Sequence, residues 1–296
     1  MEPMILLTGG TGFVGSHVAQ ALAKQGTPFR ALVRNPSPVK RLPPSAEVVE
    51  GDLTASESIS AAVAGCQTVI HCAAITGDRK GDYDLVNRVG TENLVEAARA
   101  AGVERLVVMS GLGTRPAPAG TYMATRWAME EAIRASGIKF VILQPSVLFG
   151  SGAPFVEALA RLIKQSPVVP LLGGGGLRFQ PLWIDDLVRC VLDSLGPKAR
   201  LGIEVPLGGA DVVTFREVIE TIAKALGKRP LLAPLPMAIA RPQAAIMAAL
   251  MPKPPLTPAA LELFGFDNVA GPESVRDGFG FEPAGFRAHI AANGLR

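Results

Sequence analysis

Residues 4–15 read Met4-Ile5-Leu6-Leu7-Thr8-Gly9-Gly10-Thr11-Gly12-Phe13-Val14-Gly15, and this stretch decides the fold. A short apolar run predicts a β-strand, and a helical pattern follows the glycine-rich turn at once. Glycine at positions 9, 12 and 15 permits, in order, a tight turn, close approach of a pyrophosphate, and close packing of helix on strand. The free N–H groups at the helix start would face the phosphates. The stretch therefore predicts a dinucleotide-binding turn, with a merely tight structural turn as the alternative.

The composition predicts a globular protein that binds no nucleic acid and no metal ion. The 296 residues are 48% apolar and 19% charged, enough to bury a large core. A net charge of +3 is too small for a nucleic-acid surface but leaves room for a preference for anionic ligands. Cys66, Cys72 and Cys190 lack metal or disulfide spacing and predict buried thiols in a reducing compartment. The chain start shows no signal-peptide pattern, so we expect a cytoplasmic location.

Strand and helix patterns alternate along the first half of the chain. Strands are predicted at Met4–Leu7, Phe29–Val33, Val48–Glu50, Thr68–Cys72, Arg105–Met109 and Phe140–Leu143. Helices are predicted at Phe13–Gln25, Glu57–Ala64, Tyr83–Ala101 and Met123–Ser136. Because the strands are continuous apolar runs, helices should cover both faces of the sheet. The predicted fold class is α/β, a doubly wound parallel sheet of the Rossmann type.

The regular alternation of strand and helix patterns ends near the middle of the chain, which predicts a second, smaller lobe. We expect residues 1–150 to form the dinucleotide-binding core, with residues 179–210 returning to it. Residues 151–178 and 211–296 would form a substrate or lid lobe at the carboxyl ends of the strands. The predicted elements of this lobe are helices Phe155–Lys164 and Phe215–Leu226, the latter with a Thr214/Glu217 capping box. The returning segment would contain a helix opened by Asp185-Asp186 and a strand at Ile203–Pro206.

The apolar tract Met237–Met251 predicts an amphipathic helix in this lobe, interrupted by Arg241 and Gln243. Its large apolar residues recur at helical spacings: Ile239, Ile246, Met247 and Leu250. The prolines and Arg241 make the longer tract Leu231–Met251 poor material for a membrane-spanning helix. The helix would either roof the substrate pocket or dock on a partner or a membrane surface.

Two side chains at strand ends bear on the cofactor. An acidic residue after the second strand would bind the ribose hydroxyls of NAD, but that strand ends Leu32-Val33-Arg34-Asn35. Arg34 can instead pair with a 2′-phosphate, which favours NADP(H) over NAD(H), with a solvated loop arginine as the alternative. Asp52, at the end of the third strand, would either accept from the adenine amino group or cap a turn.

Tyr122 and Arg126 lie four residues apart at the start of a predicted helix and so share one face. A phenol that exchanges a proton with a substrate hydroxyl works best beside a cation, which favours phenolate. The alternative is a helix-terminal aromatic with a surface arginine. Elsewhere, His71 and His17 are predicted to be packed core histidines, and Asp185-Asp186 to be a helix start rather than an acid/base pair.

These segments together resemble the short-chain dehydrogenase/reductase superfamily, in its extended or atypical branch. The resemblance covers most of residues 4–195 and is carried by Thr8–Gly15, Gly51–Thr54, His71–Ala74, Val86–Thr91, Tyr122–Arg126, Leu143–Gly150 and Trp183–Asp186. Residues 179–183, 254–257 and 267–269 resemble the branch that contains the accessory NAD(P)H-binding subunit of respiratory complex I. That branch implies bound NADPH and a structural or assembly role near quinone chemistry.

Residue patterns and resemblance together imply a set of site residues. The cofactor site would comprise Gly9, Thr11, Gly12, Phe13, Val14, Gly15, Arg34, Asp52, Leu53, Cys72, Ala73, Ala74, Asn87, Tyr122, Arg126, Pro145, Ser146 and Val147. The resemblance implies that Tyr122 is the general acid/base, Arg126 its electrostatic partner and Ser110 a hydrogen-bond donor to substrate. Arg126 departs from the family's lysine, and a planar guanidinium is not equivalent to an ammonium group. Gln144 stands where many relatives carry arginine.

Two functions follow from this pattern. The first is an NADP(H)-dependent oxidoreductase or epimerase that acts on a small molecule through Tyr122. The second is a non-catalytic NADP(H)-binding protein with a structural, assembly or sensing role, docked on a respiratory complex or a membrane periphery. Retention of Tyr122 favours the first function, and the arginine at position 126 favours the second.

Overall fold

The structure, a computed structural model, describes residues 4–34, 41–75, 83–250, 258–271 and 273–295, with backbone only at 248–250 and 259. Its first elements are β1 (Met4–Thr8), α1 (Phe13–Lys24), β2 (Phe29–Val33), β3 (Glu47–Glu50), α2 (Ser56–Val63), β4 (Cys66–His71), a π-helical segment (Asp84–Val89), α3 (Gly90–Ala100), β5 (Arg105–Met109), α4 (Tyr122–Arg134) and β6 (Lys139–Pro145).

The chain continues with shorter strands and further helices. These are β7 (Leu148–Phe149), α5 (Pro154–Gln165), β8 (Val168–Leu172), a 3₁₀ turn (Gly173–Gly175), β9 (Arg178–Phe179), β10 (Leu182–Trp183), α6 (Ile184–Asp193), β11 (Ile203–Leu207), β12 (Val213–Thr214), α7 (Phe215–Ala225), β13 (Leu231–Leu235), α8 (Met237–Leu250), α9 (Pro258–Glu262), α10 (Ser274–Phe279) and α11 (Phe286–Asn293).

Seven strands form one sheet in the order β11-β6-β5-β4-β1-β2-β3. The strands from β3 to β6 pair in parallel throughout. The chain runs outward from β1 to β3, returns to β4 on the other side of β1, and then runs outward again. The strand order therefore reverses between β1 and β4, where doubly wound sheets bind their ligands. The predicted fold class is confirmed.

Both faces of this sheet are covered. Leu6 and Leu7 are neighbours along β1, so their side chains point to opposite faces, and both are fully buried. The face of Leu6 packs in one cluster with residues of α2, α3 and α4, including Ile59, Leu94 and Ile133. This arrangement explains the continuous apolar strands that the sequence displays.

Most predicted elements exist, with ends displaced by one or two residues. The predicted helix Tyr83–Ala101 instead begins as the π-helical segment and becomes regular at Gly90. The two-residue strands β7, β9, β10 and β12 were not predicted, because two residues carry no periodicity. The capping box of α7 is present: Thr214 Oγ1 accepts from the Glu217 amide at 3.2 Å, and the Glu217 carboxylate accepts from the Thr214 amide at 2.7 Å.

The chain divides into two compact units. The first comprises Met1–Gln144 and Val188–Val205, and the second comprises Pro145–Leu187 and Pro206–Arg296. The first unit contains the glycine-rich turn and nearly all of the large sheet. The second contains the short strand pairs and helices α5, α7 and α8 to α11. No helix in the described part of the chain is both long and apolar enough to cross a membrane.

A buried polar chain ties β1, β4 and α3 together in the first unit. His71 Nδ1 hydrogen-bonds Thr8 Oγ1 at 2.6 Å, and its Nε2 hydrogen-bonds Thr91 Oγ1 at 3.0 Å. All three residues are buried, so the prediction of a packed core histidine is confirmed for His71. Burial lowers the pKa of His71 to about 4.

This histidine predicts a pH dependence of stability. The unfolded state binds the proton with a pKa near 6.5 while the folded state binds it near 4, so the stabilisation is complete above pH 6.5 and is lost as the pH falls towards 4. The loss should reach about 3 kcal/mol. Urea unfolding of the wild type and of His71→Gln at stepped pH measures it. The two stability curves should converge as the pH falls through this window, and parallel curves would contradict the assignment.

Candidate functional site

The glycine-rich turn between β1 and α1 uses its three spaced glycines differently. Gly9 has φ +71°, and a Cβ there would lie 2.6 Å from the Ala73 backbone nitrogen. A Cβ at Gly15 would lie 2.1 Å from the Gly9 carbonyl oxygen. At Gly12 a Cβ would meet only that same oxygen, at 3.2 Å. The fold itself therefore needs glycine at 9 and 15, whereas the space over Gly12 is left open by the described protein atoms.

The start of α1 faces this space with unneutralised backbone donors. Gly12 is the N-cap residue, provides no side-chain cap, and no acidic residue lies in the first turn. The first N–H groups and the positive end of the helix dipole are thus available to an anion. Open space over Gly12 and a bare helix start both fit the pyrophosphate of a dinucleotide.

A cavity of about 270 Å³ lies beside this turn, in the first unit. Nine of the predicted cofactor residues line it: Gly9, Thr11, Gly12, Arg34, Asp52, Leu53, Cys72, Ala73 and Ala74. They come from the ends of β1, β2, β3 and β4, which meet at one edge of the parallel sheet. Phe13, Val14 and Gly15 form the first turn of α1 directly behind the glycine loop. The cavity thus gathers residues that lie far apart in the sequence.

One arginine lines this cavity, and a second, which was not predicted, contacts the glycine-rich turn beside it. Arg34 follows β2, lines the cavity and is exposed. Arg41 donates from Nη1 to the carbonyl oxygen of Thr11, at 3.3 Å, and so reaches the glycine-rich turn itself. The sequence holds a signal for Arg41 in the basic pair Lys40-Arg41. Lys40 and Asn35 lie outside the described residues.

Asp52 caps a turn, which is one of its two predicted roles, and it also lines the cavity. Its Oδ1 accepts from the Thr54 amide and the Thr54 hydroxyl, each at 2.9 Å, which is a turn-capping arrangement. The contact of Asp52 with adenine stays a prediction. Cys72 also lines the cavity, and burial raises the pKa of its thiol to about 12, so it is a neutral wall residue.

Asn87 connects the cavity to the helix that carries Tyr122. Its side-chain amide bonds both backbone groups of Ile75, accepting at 2.9 Å and donating at 3.0 Å. It also donates to Thr125 Oγ1 at 3.4 Å. Ile75 is a cavity residue, whereas Asn87 is fully buried. Asn87 therefore holds the loop after β4 in place. Its predicted direct contact with a cofactor stays a prediction.

Tyr122 and Arg126 form a buried pair on the first turns of α4. Thr121 caps this helix by accepting from the Ala124 amide at 3.2 Å. Arg126 Nη1 donates to the Tyr122 phenol oxygen at 2.7 Å. Tyr122 is 2% exposed and Arg126 is 7% exposed. The alternative of a surface arginine is therefore wrong, because the guanidinium lies inside the protein.

The Arg126 guanidinium has two further donors, Nε and Nη2, and neither has a hydrogen-bond partner in the described chain. Gly111 makes room for this head group, since a Cβ there would lie 3.0 Å from Nη2. Leaving a buried charged donor without a hydrogen-bond partner lowers the free energy of unfolding by more than about 1–3 kcal/mol. Nε and Nη2 form one edge of the guanidinium fork, which suits two oxygens of a ligand. A ribose with adjacent hydroxyls fits this donor set.

Ser110 lies against a buried carboxylate. Its hydroxyl donates to Glu130 Oε1 and lies 3.3 Å from Thr114 Oγ1. Glu130 is fully buried and also accepts from Gln144 Nε2 at 2.9 Å and from Arg134 Nη2 at 2.7 Å. The proton of Ser110 is thus held by Glu130, and its predicted donation to a substrate stays a prediction. Sequence reasoning missed Glu130, although its place four residues after Arg126 puts it on the same side of α4.

The remaining predicted cofactor residues belong to the second unit. Pro145 ends β6, and Ser146 is buried with its hydroxyl bonded to Asn268 Oδ1 at 2.6 Å. The Val147 amide donates to the same Oδ1 at 3.2 Å. This contact connects the predicted nicotinamide segment with residues 267–269, one of the segments behind the complex I resemblance. Residues 76–79 and 254–257 lie outside the described residues.

Three other polar residues considered in the sequence, Asp185, Asp186 and His17, are not among those that line the cavity. Asp185 and Asp186 lie in the first turn of α6, as expected for a helix start. Asp186 Oδ2 also accepts from the distant Ala284 amide at 2.7 Å. The prediction of a core histidine is wrong for His17, which is half-buried with its ring 5.4 Å from that of Phe13. None of the three cysteines forms a disulfide, and no metal-binding cluster of His, Cys, Asp or Glu occurs among the described residues.

Comparison with known proteins gives the family. Residues 9–160 match a family described as NAD(P)H-binding. The chain is 30% identical over 236 residues to a ceramide reductase of Caulobacter vibrioides, covering 79% of this chain and 74% of that protein. It is 27% identical over 270 residues to the mitochondrial NADH dehydrogenase (ubiquinone) 1 alpha subcomplex subunit 9 of Arabidopsis thaliana, covering 88% of this chain and 67% of that protein.

The chain belongs to the atypical short-chain dehydrogenase/reductases, which bind NAD(P)H. The structure of a Citrobacter triphenylmethane reductase with NADP(H) superposes with a TM-score of 0.77 over 98% of this chain and 99% of that one, and at 21% identity this likeness shows the shared fold. The predicted family, the NAD(P)H-binding core and the resemblance to the complex I subunit are confirmed. Relatives with reductase and dehydrogenase names support an oxidoreductase.

The different surroundings of the three glycines predict different mutant phenotypes. Gly12→Val should fold with little loss of stability but lose NADP(H) binding, because its branched side chain fills the space that the pyrophosphate needs. Gly15→Ala should lose stability instead, because its Cβ would collide with the Gly9 carbonyl oxygen. Thermal unfolding and calorimetric titration separate the two effects. Retained affinity in a folded Gly12→Val protein would place the phosphates elsewhere.

Proposed function

We propose that the protein is an NADP(H)-dependent reductase in which Tyr122 exchanges the proton and Arg126 holds both the phenol and the cofactor. The observation that carries this proposal is the buried guanidinium of Arg126. One of its nitrogens donates to the Tyr122 phenol at 2.7 Å, and the two others have no hydrogen-bond partner among the described residues. A group buried in this state is stabilised by a ligand that completes its hydrogen bonds.

The residues that would hold the cofactor follow from their positions. The turn around Gly12 would hold the pyrophosphate, and the unpaired edge of Arg126 would hold hydroxyls of the nicotinamide ribose. Arg34 and Arg41 would hold a 2′-phosphate. When bound, NADPH supplies a hydride.

Tyr122 would act on the oxygen of the reacting carbonyl. With the hydride supplied by bound NADPH, Tyr122 would donate its phenolic proton to that oxygen, which would leave an alcohol and a phenolate. Arg126 stabilises the phenolate through its 2.7 Å hydrogen bond, and solvent returns the proton. The arginine would thereby perform both tasks that the family assigns to lysine, since one nitrogen bonds the phenol and the opposite edge would hold the ribose.

The preference for NADP(H) rests on charge at the adenosine end of the cavity. No acidic residue follows β2 to bind the ribose hydroxyls of NAD; Arg34 stands there, and Arg41 touches the adjacent turn. Guanidinium groups suit a phosphate because they bond it in a bidentate fashion. For the substrate, the ceramide reductase relative supports a carbonyl on a lipid-like molecule.

The second candidate is an NADP(H)-binding protein without turnover, docked on a respiratory complex. Its support is the complex I subunit among the relatives and the arginine in the place of the family's lysine. Both candidates share the cofactor site. They differ only in whether hydride leaves the cofactor.

The cofactor preference makes one prediction. Arg34→Ala should weaken NADPH binding by roughly 10- to 100-fold, because a charge-assisted hydrogen bond contributes roughly 1.5–3 kcal/mol, while NADH binding stays unchanged. Arg41→Ala should cause a smaller selective loss, since its guanidinium already bonds Thr11. Arg99→Ala, which removes an exposed arginine of α3, is the matched control. Equal wild-type affinity for the two cofactors would contradict the preference.

The acid/base assignment makes a second prediction, tested by loss of NADPH absorbance with a panel of lipid-like ketones, quinones and nucleotide sugars. Tyr122→Phe should abolish turnover without changing NADPH affinity, because only the transferable proton is lost. Arg126→Lys should keep or raise the rate. Tyr83→Phe, the chain's other tyrosine with its ring 6.4 Å from that of Tyr122, should remain active.

The same assay separates the candidates. A wild type that binds NADPH tightly yet consumes none with any substrate supports the docked binding protein, or an epimerase if a sugar changes configuration without net consumption. A fully active Tyr122→Phe protein would remove this tyrosine from the mechanism.

A further inference from the structure

Helix α8 (Met237–Leu250), in the second unit, turns apolar side chains outward. Of its described side chains, only Ala240 and Ala244 are fully buried, and they lie four residues apart on one side of the helix. Ile239 and Ile246 are 49% and 59% exposed. They lie seven residues apart, which is two turns, and so share one side. Of the two roles predicted for this helix, docking is the one that requires both isoleucines to be exposed, and the roof over the substrate pocket stays a prediction.

The outward side of α8 is apolar over its whole width. Opposite the two buried alanines lie Ala238, Ile239, Pro242, Ala245 and Ile246, all exposed. The only polar residues of the helix, Arg241 and Gln243, are also exposed and lie at the two borders of this side. An ordinary surface helix shows the reverse pattern, with its large apolar residues turned to the core. Small alanines on the packed side and isoleucines on the outer side indicate that something else covers this outer face.

The charged residues around α8 indicate what covers its outward side. Residues 228–261 contain Lys228, Arg229, Arg241 and Lys253 but no aspartate or glutamate, although the whole chain carries 26 acidic residues. Lys228, Arg229 and Arg241 are exposed in the structure. An apolar helix face bordered by arginine, within a segment that has only positive charge, complements an anionic lipid surface. A protein partner of acidic character would need no such continuous apolar stripe.

We propose that α8 is an interfacial helix that docks the protein on an anionic lipid bilayer, with Ile239 and Ile246 entering the apolar boundary and Arg241 lying at the lipid headgroups. The helix is too short to span a bilayer and would lie in its plane. This inference does not depend on the proposed reductase activity, because α8 contributes none of the residues assigned to the cofactor or the proton.

Vesicle co-sedimentation of the full chain tests the proposal. The wild type should bind vesicles of phosphatidylglycerol and phosphatidylcholine and bind pure phosphatidylcholine more weakly. Ile239→Glu/Ile246→Glu should lose at least about tenfold in partitioning, because two apolar side chains no longer enter the bilayer. Arg241→Gln should lose about fivefold on anionic vesicles only. Val48→Glu, which places one glutamate at an exposed apolar residue of β3, should bind like the wild type.

NADPH affinity and circular dichroism check that each variant is folded. Hydrogen exchange on the unaltered protein gives a second measurement: amides of residues 237–247 should become protected when anionic vesicles are added. A wild type that stays in solution without such protection would overturn the proposal. So would a wild-type dimer that Ile239→Glu/Ile246→Glu converts to a monomer while vesicle binding is absent, since the face would then join two copies of the chain.

Discussion

The close approach of Gly9 to the loop after β4 is the constraint on which the rest of the first unit depends. A single added methyl group would stand 2.6 Å from the Ala73 backbone nitrogen, so the ends of β1 and β4 can meet only because position 9 has no side chain. Gly15 imposes a similar limit, since it lets α1 begin directly over the Gly9 carbonyl. These contacts bring two strand ends and a helix start to the point where the strand order reverses. The cavity lies at this point, and Gly9, Gly12 and the ends of β2, β3 and β4 all contribute to its lining.

A second constraint lies in α4, where two buried side chains of opposite charge bond other partners and not each other. Arg126 and Glu130 are four residues apart and could neutralise one another, yet Glu130 accepts from Ser110, Gln144 and Arg134 instead. Arg126 donates one hydrogen bond to Tyr122, and its other two nitrogens have no partner in the part of the chain that the structure describes. Leaving a buried charge incompletely paired lowers stability, and such arrangements recur where a ligand completes them. The carboxylate of Glu130 is thus fully occupied by structure, while the guanidinium of Arg126 remains available for function.

The sequence predicts the parts of this protein that depend on local pattern. The glycine spacing predicts the β1–α1 turn, apolar runs predict the strands, and the strand ends predict most of the cavity lining. The sequence pattern does not predict contacts between residues that lie far apart in the chain. Arg41 reaches Thr11 across 30 positions of the chain, and Glu130 looks like an ordinary polar residue of a surface helix until its burial is known. The outward direction of Ile239 and Ile246 was equally hidden, because helical spacing shows that two residues share a side but not which side faces the core.

The arginine at position 126 shows why a departure from a family motif has to be judged in its surroundings. In sequence, replacement of lysine by arginine counts against turnover, since the larger planar head would not fit a site built for an ammonium group. In the structure the site is built for the guanidinium: position 111 is glycine, and a Cβ there would come within 3.0 Å of Nη2. One nitrogen of the guanidinium bonds the phenol, and the edge formed by Nε and Nη2 has no partner among the described residues. A lysine would have to serve the phenol and a ligand from the three N–H groups of a single nitrogen. The pairing of Gly111 with Arg126 therefore offsets the departure, so arginine at this position is compatible with the acid/base chemistry proposed for Tyr122.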